Sequence, residues 1–215
     1  IDFNLCFNNI GMPDQNNSSY DASSIQVLEG LEPVRLRPGM YIGGTDEKAW
    51  HHLPIEILDN SIDEAVAGFA KKITVNLIDS NTIEISDDGR GIPVDEHPKY
   101  PGKSALEVIL TSLHSGGKFN NNVYKTSGGL HGVGSSVVNA LSSQMIVTVC
   151  RDGFKWQQSF SRGVPTSSIV KLEPTTEHGT TVLFTIDDKI FGASAVFKPL
   201  KIYRMARAKA FLSKG

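Results

Sequence analysis

DEKAWHHLPIEILDNSIDEAVAGFAKKITVNLIDSNTIEISDD, residues 46–88, decides the fold. Its first half predicts a helix from about Asp46 to Ala67, because Trp50, Leu53, Ile57, Ser61, Ala65 and Phe69 recur at helical spacing. Gly68 is a natural stop, since glycine accepts the left-handed conformation that ends helices. The second half changes period. Ile73, Val75 and Leu77 alternate with polar residues, and so do Ile83 and Ile85. Asp79-Ser80-Asn81 supplies turn chemistry between the two strands. A long helix feeding a hairpin, with no βαβ rhythm, points away from a parallel sheet.

The flanks agree. Ser104-Ala105-Leu106-Glu107 is a capping box, and it opens a short helix carrying Leu106, Ile109, Leu110 and Leu113. Ser115 to Gly134 is rich in Gly, Asn and Ser, and a helix from Ser135 to Leu141 follows. Met145, Val147 and Val149 alternate, Asp152-Gly153 turns, and Phe154, Trp156 and Phe160 return as the second arm of a hairpin. Val182, Phe184 and Ile186 make a last strand before a terminal helix rich in Lys and Arg. The expected fold is therefore α+β: a two-layer sandwich with a mostly antiparallel sheet covered by helices on one face. Residues 1–24, rich in Asn, Ser, Asp and Gly, read as an N-terminal arm or leader, and 25–215 as one domain.

Composition narrows the setting. With 215 residues, 40% hydrophobic and 20% charged, the chain has an ordinary globular mix. A formal net charge of −2 supplies no global basic field for nucleic acid. The 2 cysteines, Cys6 and Cys150, form no metal-binding pair, and no apolar run reaches the length of a membrane span. The expected compartment is the cytoplasm, with no membrane partner.

Four segments carry candidate chemistry. Glu56, Asn60 and Asp63 stand at i, i+4 and i+7, on one helix face opposite the apolar stripe. That face reads as a solvated surface, or as a general base beside an oxygen ligand for Mg²⁺. In Asp87-Asp88-Gly89-Arg90-Gly91-Ile92-Pro93, Asp87 continues the parity of Ile83 and Ile85 and so points inward. A buried carboxylate needs a donor, and an adenine amino group is one. The same residues also read as a plain Asp-Gly turn. Gly116, Gly117, Gly128, Gly129, Gly132 and Gly134 lie in a stretch that leads into a helix, where backbone N–H groups can bind phosphate. It is neither a Walker A loop nor a Rossmann fingerprint, and it also reads as a bare loop. Thr180, in His178-Gly179-Thr180-Thr181, is a further hydrogen-bonding group at a strand start.

In this order the segments resemble the nucleotide site of the GHKL superfamily of ATPases. RPGMYIG (37–43), EILDNSIDEA (56–65), DDGRGIP (87–93), HSGGKF (114–119), YKTSGGLHGVGSSVVNAL (124–141) and GTTV (179–182) are similar to the B-type subunits of bacterial gyrase and topoisomerase IV, which are type IIA DNA topoisomerases. The resemblance implies ATP and Mg²⁺ as ligands, with Glu56 as the base that activates water and Asn60 as the metal ligand. Asp63 is grouped with the nucleotide contacts. Asp87 would read adenine, with Thr180 sharing its water, and Gly91, Ile92 and Pro93 would line the base. Arg90 and Arg151 would stand at the rim of the ATP and aminocoumarin pocket. Gly116, Gly117, Lys118, Gly129, Leu130, His131, Gly132, Val133 and Gly134 would hold the phosphates as a closing lid. Tyr20 would belong to an arm that crosses to a second copy of the subunit. The resemblance further implies an A-type subunit and DNA as partners of the whole enzyme. It also implies a transducer and a DNA-gate portion beyond this chain.

The wording around Tyr203-Arg-Met-Ala-Arg-Ala-Lys favours the topoisomerase IV branch over gyrase. The rival class is a nucleotide-gated binding module with little turnover, such as a chaperone or mismatch-repair clamp, in which the RPGMYIG and YKTSGGLHGVG wording is not expected. His51, His52 and His97 read as packing or surface groups, and Trp50 and Trp156 as core. Lys198, Lys201, Arg204, Arg207, Lys209 and Lys214 read as a DNA contact or, in preference, as a solvated helix face joining a next domain.

Overall fold

The structure is a computed structural model and describes residues 28–115 and 132–212. The expected arm (1–24) and Lys214 lie outside them. The helix read from residue 46 onward is α3, Glu47–Val66. Asp46 caps it by accepting a hydrogen bond from Ala49 N at 3.1 Å. The hairpin that follows is β1 (Ile73–Leu77) and β2 (Thr82–Asp87), paired antiparallel from Ile73↔Asp87 to Leu77↔Ile83. Ser104 caps α4 (Ala105–Thr111) by accepting from Glu107 N, as the capping box requires. Then come α5 (Gly134–Ala140), the hairpin β3 (Ser142–Arg151) and β4 (Phe154–Ser161), and β7 (Gly179–Ile186). The terminal helix is α7, Pro199–Leu212.

Several short elements have no counterpart in the sequence reading: α1 (Glu32–Leu36), α2 (Gly39–Ile42), β5 (Val164–Pro165), β6 (Val170–Pro174) and α6 (Asp188–Phe191). The strands form a seven-stranded sheet in the order β1-β2-β7-β3-β4-β5, with β6 also paired to β4. Every named strand pairing is antiparallel. Ile85, Val182 and Val147 stand side by side across β2, β7 and β3, as do Ile83, Phe184 and Met145, and all six are buried. This is the face that α3 and α5 cover. The alternate residues of β7 (Thr181, Leu183 and Thr185) are half-exposed, so the alternation separates the two faces and the expected sandwich holds.

Two features depart from the expected packing. Phe69, placed at the end of the apolar stripe, lies past the end of α3 at 49% exposure, with the Arg90 guanidinium 3.9 Å from its ring centre. The basic residues of α7 are not simply solvated. Lys198 and Lys201 pair with Glu47 at the start of α3, and Lys209 pairs with Asp59 farther along it. His51 links the same helices: its Nδ1 donates to Glu47 O at 2.8 Å and its Nε2 accepts from Lys198 N at 2.9 Å. Burial lowers its proton affinity, in keeping with that neutral, structural role.

Behind the sheet end, Asp187 is fully buried and caps α6. Arg35 reaches it at 2.7 Å and Arg162 at 2.9 Å. Burial alone would raise its pKa, but the hydrogen bonds from Arg162 and Arg35 outweigh that and hold it below the usual carboxylate value. A depressed carboxylate adds stability above its unfolded pKa of about 3.9, and that stability is lost as pH falls through the folded value. Asp187→Ala leaves two guanidinium groups uncompensated. It is expected to cost roughly 3–5 kcal/mol in urea denaturation at neutral pH, and a loss under about 1 kcal/mol would refute this account.

Candidate nucleotide site

A cleft of about 810 Å³ opens between α3, α5 and the ends of β2 and β7. Its apolar walls include Ile57, Ile85, Ile92, Val137 and Val182, which suit a flat base. Glu56, Asn60, Asp87, Arg90, Gly91, Ile92, Pro93, Gly132, Val133, Gly134, Arg151 and Thr180 all line it. Tyr20, Gly116, Gly117, Lys118, Gly129, Leu130 and His131 lie outside the described residues.

Asp63 is brought elsewhere. At 2% exposure it is buried in the protein and is not part of the lining. The cleft crosses α3 obliquely. Its lining passes from Glu56 and Asn60 to Ser61 and Glu64, and at about 100° per residue that drift leaves position 63 behind.

At the deep end, Asp87 closes β2 opposite Thr180 of β7. Its carboxylate accepts from Ser61 Oγ at 2.8 Å and from Gly89 N at 3.0 Å. Burial raises its pKa, against the pull of Ser61, Gly89 and the Thr180 backbone. Thr180 Oγ1 accepts from Ile92 N at 3.2 Å, which ties the loop after β2 to the sheet. That loop admits no side chains at its glycines. A Cβ on Gly89 would stand 2.9 Å from Asp87 Oδ1, and one on Gly91, at φ +75°, would stand 2.9 Å from Val149 Cγ1. Both rim arginines are held. Arg90 donates to Glu64 through Nη2 at 2.7 Å and through Nε and its backbone N at 3.0 Å. Arg151 donates to Gly91 O at 3.0 Å and to Asp152 at 2.9 Å.

At the other end, Glu56 meets the first turn of α5. Its Oε1 lies 3.0 Å from His52 Nε2, and any side chain at Gly134 would take the place of its Oε2. The hydrogen bond that His52 donates to Glu56 raises the proton affinity of His52. Asn60 donates from Nδ2 to Ser135 Oγ at 2.8 Å, the second link between α3 and α5. Among the described residues no three His, Cys, Asp or Glu groups gather to hold a metal. The amide oxygen of Asn60 fits Mg²⁺ only in its usual manner, in which water and phosphate oxygens make up most of its shell.

Sequence reasoning misses Ser61, Glu64 and His52 as members of the site. Ser61 falls within the apolar stripe, where a hydroxyl is the signal. His52 stands four residues before Glu56, a spacing that brings helix side chains together. Nothing in the spacing of Glu64 and Arg90 announces their pairing. His114 lines the cleft, as its position beside the glycine-rich stretch suggests.

Residues 45–190 match the family model described as histidine kinase-, DNA gyrase B-, and HSP90-like ATPase. The chain is 64% identical over 196 residues to the B-type subunit of DNA topoisomerase 4 from Caulobacter vibrioides, a match covering 91% of this chain and 28% of that protein. It is 57% identical over 202 residues to the corresponding protein of Bartonella bacilliformis, covering 94% of this chain and 29% of that one. It is 51% identical over 205 residues to the B-type subunit of DNA gyrase from Staphylococcus epidermidis, covering 95% and 32%. Among solved structures, the 43K ATPase domain of Thermus thermophilus gyrase B in complex with an aminocoumarin superposes with a TM-score of 0.75 at 44% identity, covering 85% of this chain and 46% of that one. The chain thus spans less than a third of the length of these three curated relatives.

Proposed function

The chain belongs to the histidine kinase-, DNA gyrase B- and HSP90-like ATPase family, and from that premise we propose that its cleft binds ATP with Mg²⁺ and hydrolyses it on behalf of a type IIA DNA topoisomerase. The observation that carries this reading is the arrangement of one cleft. A half-buried carboxylate (Asp87) stands at one end, and Glu56 and Asn60 face the first turn of α5 at the other. Adenine donates its amino group to Asp87, and its faces lie between Ile92, Pro93 and the opposite apolar wall. The phosphates lie along the backbone of Gly132, Val133 and Gly134, where N–H groups and the glycine surface admit them closely. His52 orients Glu56 through Oε1, so Oε2 is the oxygen placed to align and deprotonate the attacking water. Mg²⁺, when bound, neutralises the developing charge on the phosphoryl oxygens.

Residues 25–215 form the ATPase unit, and residues 1–24 form the arm that meets a second copy. ATP closes the pair as a gate, and hydrolysis reopens it around DNA held with an A-type subunit. The higher identity to topoisomerase IV relatives favours that enzyme over gyrase.

Calorimetry tests the site. A non-hydrolysable ATP analogue with Mg²⁺ and an aminocoumarin are each expected to bind with one-to-one stoichiometry and to exclude one another. Simultaneous binding, or no binding of the nucleotide, would refute the reading.

A further inference from the structure

Each carboxylate that α3 contributes to the cleft wall has its own basic partner. Glu56 has His52 at 3.0 Å, Glu64 has Arg90 at 2.7 Å, and Asp59 has Lys209 at 2.5 Å. His52 and Arg90 are themselves part of the cleft lining. Lys209 is not. It arrives from α7, on the far side of α3. Asp59 is largely buried, with its side chain 17% exposed, and it lines the cleft between Glu56 and Asn60 in sequence. A carboxylate in that position, left alone, would face a triphosphate of the same sign across a poorly hydrated wall.

We propose that Lys209 is a positioning residue of the nucleotide site: by pairing with Asp59 it neutralises the cleft wall beside Glu56 and Asn60, and so makes tight binding of the triphosphate depend on the seating of α7. The proposal rests on the ATP reading above and deepens it. Among the described residues the pair is one of two ion-pair clips between these helices. At the start of α3, Glu47 is held by Lys198 and Lys201, with Ile202 and Met205 packed between the two points. The Glu47 clip lies away from the cleft and serves docking alone. The Asp59 clip joins docking to charge, so a shift of α7 that draws Lys209 away returns a bare negative charge to the phosphate end of the site.

The test compares a charged with an uncharged ligand. The chain carrying Lys209→Met, Lys209→Arg or the pair Asp59→Asn with Lys209→Met is titrated calorimetrically with a non-hydrolysable ATP analogue plus Mg²⁺, and separately with adenosine. Lys209→Met is expected to weaken the triphosphate about tenfold and adenosine less than about twofold. The arginine variant keeps the charge and is expected to bind both ligands as the unaltered chain does. In the double variant the clip stays broken but the wall is neutral, so triphosphate binding recovers to within about threefold. Raising the salt concentration shrinks the Lys209→Met defect. Parallel weakening of both ligands, an unchanged triphosphate affinity, or a double variant as weak as Lys209→Met would each overturn the proposal, because they are the marks of a packing contact alone. Failure of the unaltered chain to bind either ligand would instead remove the ATP reading, and this proposal with it.

Discussion

Glu56→Ala is expected to leave ATP bound and to lower hydrolysis by roughly 10²–10⁴-fold, the usual worth of a positioned base. Binding survives because the adenine and phosphate contacts come from other residues: Asp87, the loop after β2 and the first turn of α5. Turnover falls because Glu56 is the carboxylate that stands against Gly134 at the first turn of α5. His52 cannot substitute, since its role is to hold Oε1 from one turn away. Steady-state hydrolysis, together with nucleotide affinity, separates the two effects. Asn60→Ala provides the contrast. It removes an oxygen donor and the link to Ser135, so affinity and turnover should fall together. Unimpaired turnover in the Glu56 variant would overturn the assignment.

Asp87→Asn is expected to weaken ATP binding by roughly 10–10²-fold, the worth of a hydrogen bond to a charged acceptor. The carboxylate already accepts from Ser61 and Gly89 inside the protein, and it is held there against the cost of burial. An amide in its place turns one acceptor into a donor and mismatches either those partners or the base. Because burial raises the Asp87 pKa, affinity should also fall as pH drops through that raised value, and the asparagine variant should lose this dependence. Calorimetry across pH, with circular dichroism to verify the fold, measures both. Equal affinity in the two proteins at neutral pH would take Asp87 out of the site.

What can be read from the chain is whatever declares itself locally. The helical period of Leu53 and Ile57, the alternation of Ile83 and Ile85, and the Ser104 capping box each act within a few residues, and each element stands where expected. β6 escapes because the alternation of Val170 and Leu172 with Lys171 and Glu173 is only two periods long before Pro174 breaks it, and in the fold all five residues are exposed. α1 and α2 span only 5 and 4 residues beside Pro33 and Pro38, too short for a period to show. In the site, Asp87 is legible from strand parity and Glu56 from helix geometry. Asp63 is misplaced because helical spacing names a face without saying at what angle a cleft crosses it. Glu64 with Arg90, and Lys209 with Asp59, depend on elements that meet only in space.

The position of β7 between β2 and β3 has a consequence for the chain as it emerges from the ribosome. Ile85 pairs with Val182, and Val147 pairs with Val182 from the other side. Until β7 is made, the β1–β2 and β3–β4 hairpins share no strand, and the inward side chains of β2 and β3 have unfinished edges. At roughly 5–20 residues per second, synthesis from Ile85 to Val182 takes on the order of ten seconds. Ile83 and Ile85 for that interval, and Met145 and Val147 for the shorter time after their own synthesis, lie on open strand edges, the kind of surface that pairs with a neighbouring nascent chain. Among the described strands of this sheet the last made is the one that joins the two halves, so the sheet is complete only once residues 179–186 have arrived.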